Sequence, residues 1–132
     1  MRHFFIMILC LLFTSCGTDK LHRIPEKFYQ KQWCAEAAGQ AEVSLSDGTR
    51  CDCITATHAV EFDFAPKWAE AIGQALRYSM LTGKRAGIVL ILKSKADQTH
   101  IKRLTETIQH HNLPIDILQT IDAQPPNQND IK

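Results

Sequence analysis

Residues 50–63, RCDCITATHAVEFD, carry the pattern that decides how this chain folds. Polar and apolar side chains alternate on both sides of the central turn, which predicts two antiparallel strands joined as a hairpin. When the strands are paired around that turn, Asp52 lies opposite Glu61, and Arg50 lies opposite Asp63. Alternation then predicts that these four side chains share one face of the hairpin, while the cysteines and phenylalanines point to the other face.

Hydrophobic periodicity and turn residues extend the prediction along the rest of the chain. The predicted elements are a helix at 26–39, strands at 41–45, 50–55 and 59–64, a helix at 66–81, a strand at 86–92, a helix at 96–111 and a strand at 115–121. The strand AGIVLIL is continuously apolar, which is typical of a central strand covered on both faces. The order αβββαβαβ predicts one α/β domain over residues 26–121, an α+β arrangement with a mixed sheet, followed by a flexible polar tail at 122–132.

The composition excludes several classes of protein. The chain has 132 residues, with 15 Lys and Arg against 14 Asp and Glu, and 45% of its residues are hydrophobic. Such a balance is typical of an ordinary globular domain, and it excludes collagen-like, disordered and multi-span membrane proteins. A net charge of +1 also argues against a protein that coats nucleic acid through bulk positive charge.

The N-terminus has the pattern of a bacterial export signal. A cationic start precedes ten apolar residues, 4–13, which are too few to cross a membrane and fit the core of a signal peptide at 1–15. The following FTSC resembles a lipoprotein cleavage site, with Phe where the family usually has Leu. The resemblance implies lipidation of Cys16, a polar tether at 16–25 and anchoring in the cell envelope, where Gly17 favours the outer membrane facing the periplasm. The alternatives are an ordinary cleaved signal or an uncleaved anchor.

Three cysteines fall within the predicted domain. An oxidising periplasm allows one disulfide, from Cys34 to either Cys51 or Cys53. Cys51 and Cys53 share a strand face and cannot easily bridge each other, and their spacing does not fit a zinc site. We therefore expect both to be buried as small apolar residues.

The hairpin also predicts a chemical site. Asp52, Glu61 and Asp63 bring three carboxylates to one patch, and like charges opposed across strands need a cation or an arginine beside them. Carboxylate oxygens are ligands that suit Mg²⁺ or Mn²⁺. The alternative is that Arg50 neutralises Asp63 on a solvated face and nothing binds there.

The order of elements and these acids together resemble the PD-(D/E)xK nuclease superfamily, which has the restriction-endonuclease-like fold. Gln74 and Tyr78 resemble the QxxxY element of RecB-type nucleases, and the resemblance covers residues 26–92. It implies that Glu36 on the first helix, together with Asp52 and Glu61, binds a divalent metal. The chain departs from the family pattern at Asp63, which stands where the family has its catalytic lysine.

Lys67 is the predicted substitute for that missing lysine. At about 100° per residue, Lys67, Gln74 and Tyr78 share one helix face, and Lys67 begins the helix next to the strand end. Arg50 is a second candidate, for binding substrate phosphate. The alternative is that Lys67 is only an exposed helix-start residue, and that Gln74 and Tyr78 only pack helix against sheet.

Two functions are therefore expected from the sequence. The first is an exported, lipid-anchored nuclease that hydrolyses nucleic-acid phosphodiesters with Mg²⁺ or Mn²⁺. The second is a non-catalytic envelope module on a lapsed nuclease scaffold, which binds a protein, nucleic acid or lipid partner. The acid at position 63 motivates the second, because it adds negative charge where phosphate has to approach.

Overall fold

The computed structural model of the protein describes residues 24–123, and its elements follow the predicted order. They are α1 (Glu26–Glu36), β1 (Gln40–Ser44), β2 (Arg50–Ile54), β3 (His58–Phe64), α2 (Trp68–Thr82), β4 (Arg85–Leu92), α3 (Gln98–His111) and β5 (Ile115–Asp122). Short 3-10 turns precede α2 and α3. The predicted signal peptide, Cys16, most of the tether and most of the tail lie outside the described residues.

Three helix ends differ from their predicted positions. Helix α1 ends at Glu36, earlier than predicted, because Ala38 takes a left-handed backbone conformation (φ 51°) and the N–H of Gly39 donates to the Cys34 carbonyl at 2.8 Å. Pro66 is predicted to open α2, but it lies in a 3-10 turn, and the α-helix begins two residues later. Helix α3 likewise begins two residues later than predicted, after a second 3-10 turn. These differences fall where local hydrogen bonding rather than periodicity decides the boundary.

The five strands form one mixed sheet in the order β1-β2-β3-β4-β5. Strands β1, β2 and β3 pair antiparallel, whereas β3, β4 and β5 pair parallel. On one face of β4, Ile88 and Leu90 belong to the core that α2 and α3 cover. On the other face, Val89 packs with Phe62 and with Trp33 of α1. The prediction of an α+β domain with a buried central strand is confirmed.

A disulfide joins helix α1 to the sheet. Cys34 is bonded to Cys53 of β2, which selects one of the two pairings that the sequence left open, and Cys51 is the free cysteine among the described residues. All three are buried, which confirms the expectation for Cys51 and Cys53. The disulfide closes a segment of the chain that contains β1 and the first hairpin, so it restricts the unfolded chain as well as fastening α1.

No helix within residues 24–123 is both long enough and apolar enough to span a membrane.

Gly39 fits against the disulfide because it has no side chain. A Cβ atom at this position would lie 2.6 Å from the Cys53 Sγ and 2.9 Å from the Cys34 Sγ. We therefore expect Gly39→Ala to lower the free energy of unfolding by about 1–3 kcal/mol, because the sulfur atoms have to move to admit the methyl group.

Gly73 on α2 provides the matched control, since a Cβ there would meet no described atom within 4 Å. Gly73→Ala should stabilise the protein by about 0.5–1 kcal/mol through helix propensity. Chemical denaturation of both variants measures these effects. A Gly39→Ala variant as stable as the parent would contradict the packing described here.

Candidate functional site

Four carboxyl groups gather where β2 and β3 separate. Asp52 comes from β2, Glu61 and Asp63 come from β3, and Glu26 comes from the first turn of α1. Glu61 and Asp63 are only 4% and 3% exposed. The structure therefore brings together the three acids that the hairpin pattern predicted, and it adds a fourth from the helix.

Asp52 occupies the point at which the two strands part. The pairs Cys53–Val60 and Ile54–Ala59 have the predicted register. At the next position the carboxylate of Asp52 accepts a hydrogen bond from the Phe62 N–H at 2.8 Å. A side chain thus satisfies a backbone donor of β3 at the position where the pairing of β2 with β3 stops.

The carboxyl groups form two proton-sharing pairs. Burial is the main cause that raises the pKa of Glu61 to about 10, and the negative charge of Asp52 raises it further. Burial likewise raises the pKa of Glu26 to about 7, with Asp63 as the next cause. Protonated Glu61 donates to Asp52, and protonated Glu26 donates to Asp63. Protons thus take the place of a cation in holding the four groups together.

One oxygen in this cluster has no hydrogen-bonding partner. Glu61 Oε2 is buried and accepts no hydrogen bond from residues 24–123, although the Glu61 carboxyl group as a whole bonds to Asp52 and to the Tyr78 hydroxyl. A buried polar atom without a partner costs free energy, and in a native protein it often marks the position of a ligand. The donor set around it consists of carboxylate oxygens, which fit a hard divalent cation such as Mg²⁺ or Mn²⁺.

The side chains of this cluster are arranged for protons and not as a preformed metal site. Across residues 24–123, no group of three or more His, Cys, Asp and Glu side chains has the arrangement of a metal site. A divalent cation would therefore displace the shared protons and reorient the carboxylates, which makes its affinity dependent on pH.

Lys67 is the cation that the structure places beside the cluster. Its Nζ lies 3.8 Å from Asp63 Oδ1, and the ammonium reaches this position from the short turn that leads from β3 into α2. Its positive charge works to lower the pKa of both Asp63 and Glu26, although burial outweighs this effect for each group. The Lys67 side chain is 59% exposed, so it can move between solvent and the carboxylates.

Tyr78 and Gln74 line the same side of the site from α2. The Tyr78 hydroxyl donates to Gln74 Oε1 at 3.2 Å. Tyr78 is 5% exposed, and burial raises its pKa, with the negative charges of Glu61 and Asp52 as further causes. Tyr78 also packs against Cys51 and Ala59, so it joins the helix to the sheet as well as bordering the carboxylates.

The predicted position of Arg50 is wrong. Its Nε lies 3.1 Å from Glu42 Oε2, and its backbone pairs with Ser44 of β1. Arg50 does not lie opposite Asp63. The pairing of β2 with β3 covers Cys53 and Ile54 and stops before Asp52, so it does not extend to Arg50. Its guanidinium therefore stands beside β1, paired with Glu42, and acts on the carboxyl cluster through its charge, which works to lower the pKa of Asp52.

Glu36, which the family resemblance implied as a metal ligand, does not lie in the carboxyl cluster. It is exposed, it accepts a hydrogen bond from Gln32 Nε2 at 3.3 Å, and it lies at the opposite end of the helix from the site. Glu26, the first residue of α1, is the helix glutamate that joins the cluster. The signal was present in the sequence, because Glu26 and Gln30 share a helix stripe with Cys34 at i, i+4 and i+8, and a buried cysteine marks the face toward the sheet.

Comparison of the chain with protein-family models, with curated proteins and with solved structures finds no significant match. A function for this chain has to be argued from its own residues and their geometry.

The raised pKa of Glu61 predicts how stability depends on pH when metal is absent. The unfolded chain ionises Glu61 above its ordinary pKa of 4.5, whereas the folded protein keeps it protonated up to about 10. Folded stability is therefore lost as pH rises between these values, and Glu26 adds to the loss between 4.5 and about 7. In EDTA, the melting temperature at pH 8 should lie at least about 5 °C below that at pH 5.

Glu61→Gln keeps the shape of the side chain without its charge, so it should reduce this decrease. Glu106→Gln is the control, because Glu106 is exposed on α3, where Lys102 is its partner. Thermal unfolding at both pH values measures the effect. Equal decreases in the parent and in Glu61→Gln would show that the carboxyl cluster does not control the pH dependence.

Proposed function

We propose that this domain is an exported nuclease of the PD-(D/E)xK type, which hydrolyses nucleic-acid phosphodiesters with Mg²⁺ or Mn²⁺. The observation that carries the proposal is the unpartnered Glu61 Oε2, buried within a cluster of four carboxyl groups. Burial of so many acids costs free energy, which shared protons offset when metal is absent and which a bound divalent cation would offset in their place.

Asp52 and Glu61 are the residues that would hold the metal, with Glu26 and Asp63 as further oxygen donors. Asp52 is held by the Phe62 N–H, and Glu61 is held by burial in the sheet, so both come from rigid elements. A divalent ion in this position supplies a Lewis acid for the phosphate charge and lowers the pKa of bound water. Glu36 has no part in this proposal.

Lys67 would supply the cation that the family places on the third strand. Its ammonium reaches Asp63, which stands at the family's lysine position, so the helix places a positive charge near the expected point in space. There it would orient the attacking water and balance the charge of a bound phosphate. The bond between Gln74 and Tyr78 supports that wall of the site.

The proposed restriction-endonuclease-like topology agrees with the order αβββαβαβ and with the mixed sheet. Antiparallel β2 and β3 carry the acids, and α2 returns from the end of β3 to lie along the same sheet. Export of the protein is supported by the Cys34–Cys53 disulfide, since such bonds persist in oxidising compartments. We place the protein in the bacterial cell envelope, anchored through Cys16 and facing the periplasm from the outer membrane.

A cleavage assay with matched variants tests the proposed activity. The protein should cut single- or double-stranded DNA or RNA with Mg²⁺ or Mn²⁺ and should lose this activity in EDTA. Glu61→Ala and Lys67→Ala should each lower the rate about 100-fold or more, because each removes a charge from the reacting centre. Glu36→Ala and Lys102→Ala are controls from exposed positions of α1 and α3 and should cut like the parent.

Failure to cut any of these substrates, or full activity of Glu61→Ala, would contradict the nuclease proposal. Mn²⁺ binding without cleavage would favour the binding module instead. In that case Asp63→Lys tests for a lapsed enzyme, because it restores the family's lysine on β3. A gain of cleavage in this variant would identify Asp63 as the reason for the lost activity.

Anchoring through Cys16 has a separate test. Processing should leave Cys16 as the lipidated first residue, and Cys16→Ser should abolish acyl labelling and release the domain into the soluble fraction. Mass spectrometry of the mature N-terminus measures the modification directly. An unmodified Cys16, or cleavage at another site, would contradict the proposed anchor.

A further inference from the structure

Gln30 of α1 connects the helix to the two strands beside the site. It is 2% exposed, and its Nε2 donates to the Asp52 carbonyl oxygen at 2.7 Å and to Glu42 Oε1 at 2.9 Å. A side-chain amide nitrogen carries two N–H groups, so both of its donors are used. Gln30 thus bonds at the same time to β1 and to the strand residue that carries a site carboxylate.

These hydrogen bonds lie at Asp52, a residue that the strand pairs on either side of β2 do not include. Between β1 and β2, pairing includes Ala41–Cys53 and Val43–Cys51 but omits Glu42 and Asp52, which stand between them. Glu42 has a left-handed backbone (φ 58°), a conformation that is unfavourable for residues other than glycine. Pairing of β2 with β3 likewise stops before Asp52.

Glu42 is itself held as a charged acceptor for Gln30. Lys27 Nζ and Arg50 Nε lie 3.2 Å and 3.1 Å from its Oε2. The Gln30 hydrogen bond is the largest cause that lowers the pKa of Glu42, followed in the same direction by the bond from Lys27. The ion pair between Arg50 and Glu42 therefore helps to fix the acceptor side of this contact.

We propose that Gln30 is the positioning residue for Asp52, and that its bond to the Asp52 carbonyl sets where the Asp52 carboxylate meets the metal. The inference rests on the proposed function, since it assigns Gln30 a role in that same site. Gln30 holds Asp52 at its backbone, and the Phe62 N–H and protonated Glu61 hold it at its carboxylate. Loss of the Gln30 bond lets β2 shift at the residue that carries the ligand, and metal ligands tolerate displacements of only about 0.5 Å.

Gln30→Met is the first test, because methionine has a similar length but no donor. Calorimetric titration of the full chain with Mn²⁺ should show affinity lowered by about 10- to 100-fold, the range expected for a residue that orients a ligand. Gln32→Met is the control on the same helix, since Gln32 is exposed and bonds only to Glu36 among the described residues. It should bind Mn²⁺ like the parent.

A double variant distinguishes a role of Gln30 in positioning Asp52 from a role in the stability of the fold. Gln30→Glu alone places a carboxylate against Glu42, so the protein should melt at a lower temperature. Gln30→Glu combined with Glu42→Gln reverses donor and acceptor, so the bond between positions 30 and 42 forms again while the Asp52 carbonyl stays without its donor. Relative to Gln30→Glu, the double variant should therefore regain melting temperature, whereas its Mn²⁺ affinity should stay at least about tenfold below that of the parent.

Each outcome decides between the proposals. Parental Mn²⁺ affinity in Gln30→Met would overturn the positioning role and leave the proposed function intact. Recovery of both melting temperature and Mn²⁺ affinity in the double variant would show that Gln30 is only structural, even if Gln30→Met does not fold. A parent protein that binds no Mn²⁺ would overturn the proposed function, and this inference with it.

Discussion

The hydrogen bond from the Phe62 N–H to the Asp52 carboxylate is the contact on which the site depends. It satisfies a strand donor with a side chain, so β2 and β3 part without leaving that donor unpaired. Beside this parting, Asp52 and Asp63 lie close enough to Glu61 for their charges to raise its pKa. Without this bond, the pairing of β2 with β3 would continue past Asp52 and would place Arg50 opposite Asp63, as the regular pattern predicts.

The resulting cluster is costly to bury, and several parts of the fold offset that cost. Glu61 and Glu26 carry protons that bond them to Asp52 and Asp63, which removes two negative charges from the interior. The ammonium group of Lys67 balances one further negative charge, that of Asp63. These arrangements reduce the electrostatic cost, but they leave Glu61 Oε2 without a partner. Under the proposed function, a divalent metal ion would displace these protons and bind the remaining oxygen.

Much of this fold could be predicted from the sequence, because periodicity acts over whole elements. The element order, the mixed sheet, the buried strand β4 and the β2–β3 register next to the turn all follow from patterns of apolar residues. The errors concern side chains whose positions depend on tertiary contacts. Arg50 was misplaced because nothing local shows that the strands part at Asp52. Glu36 was implied by the family resemblance, which does not say which end of α1 meets the site. The disulfide partner of Cys34 was undecided because it too depends on tertiary contacts.

The Cys34–Cys53 disulfide holds α1 on the sheet more firmly than the apolar residues of the helix alone would. Polar residues make up much of this helix, so apolar burial alone would hold it weakly. The bond fastens its C-terminal half to β2 at the residue next to Asp52, and Gln30 fastens the middle to Asp52 itself. Glu26 at the other end is then carried to Asp63 by a rigid rod about 15 Å long. The helix thus connects the disulfide rigidly to the carboxyl cluster, so the position of Glu26 is determined by contacts formed about one and two turns away.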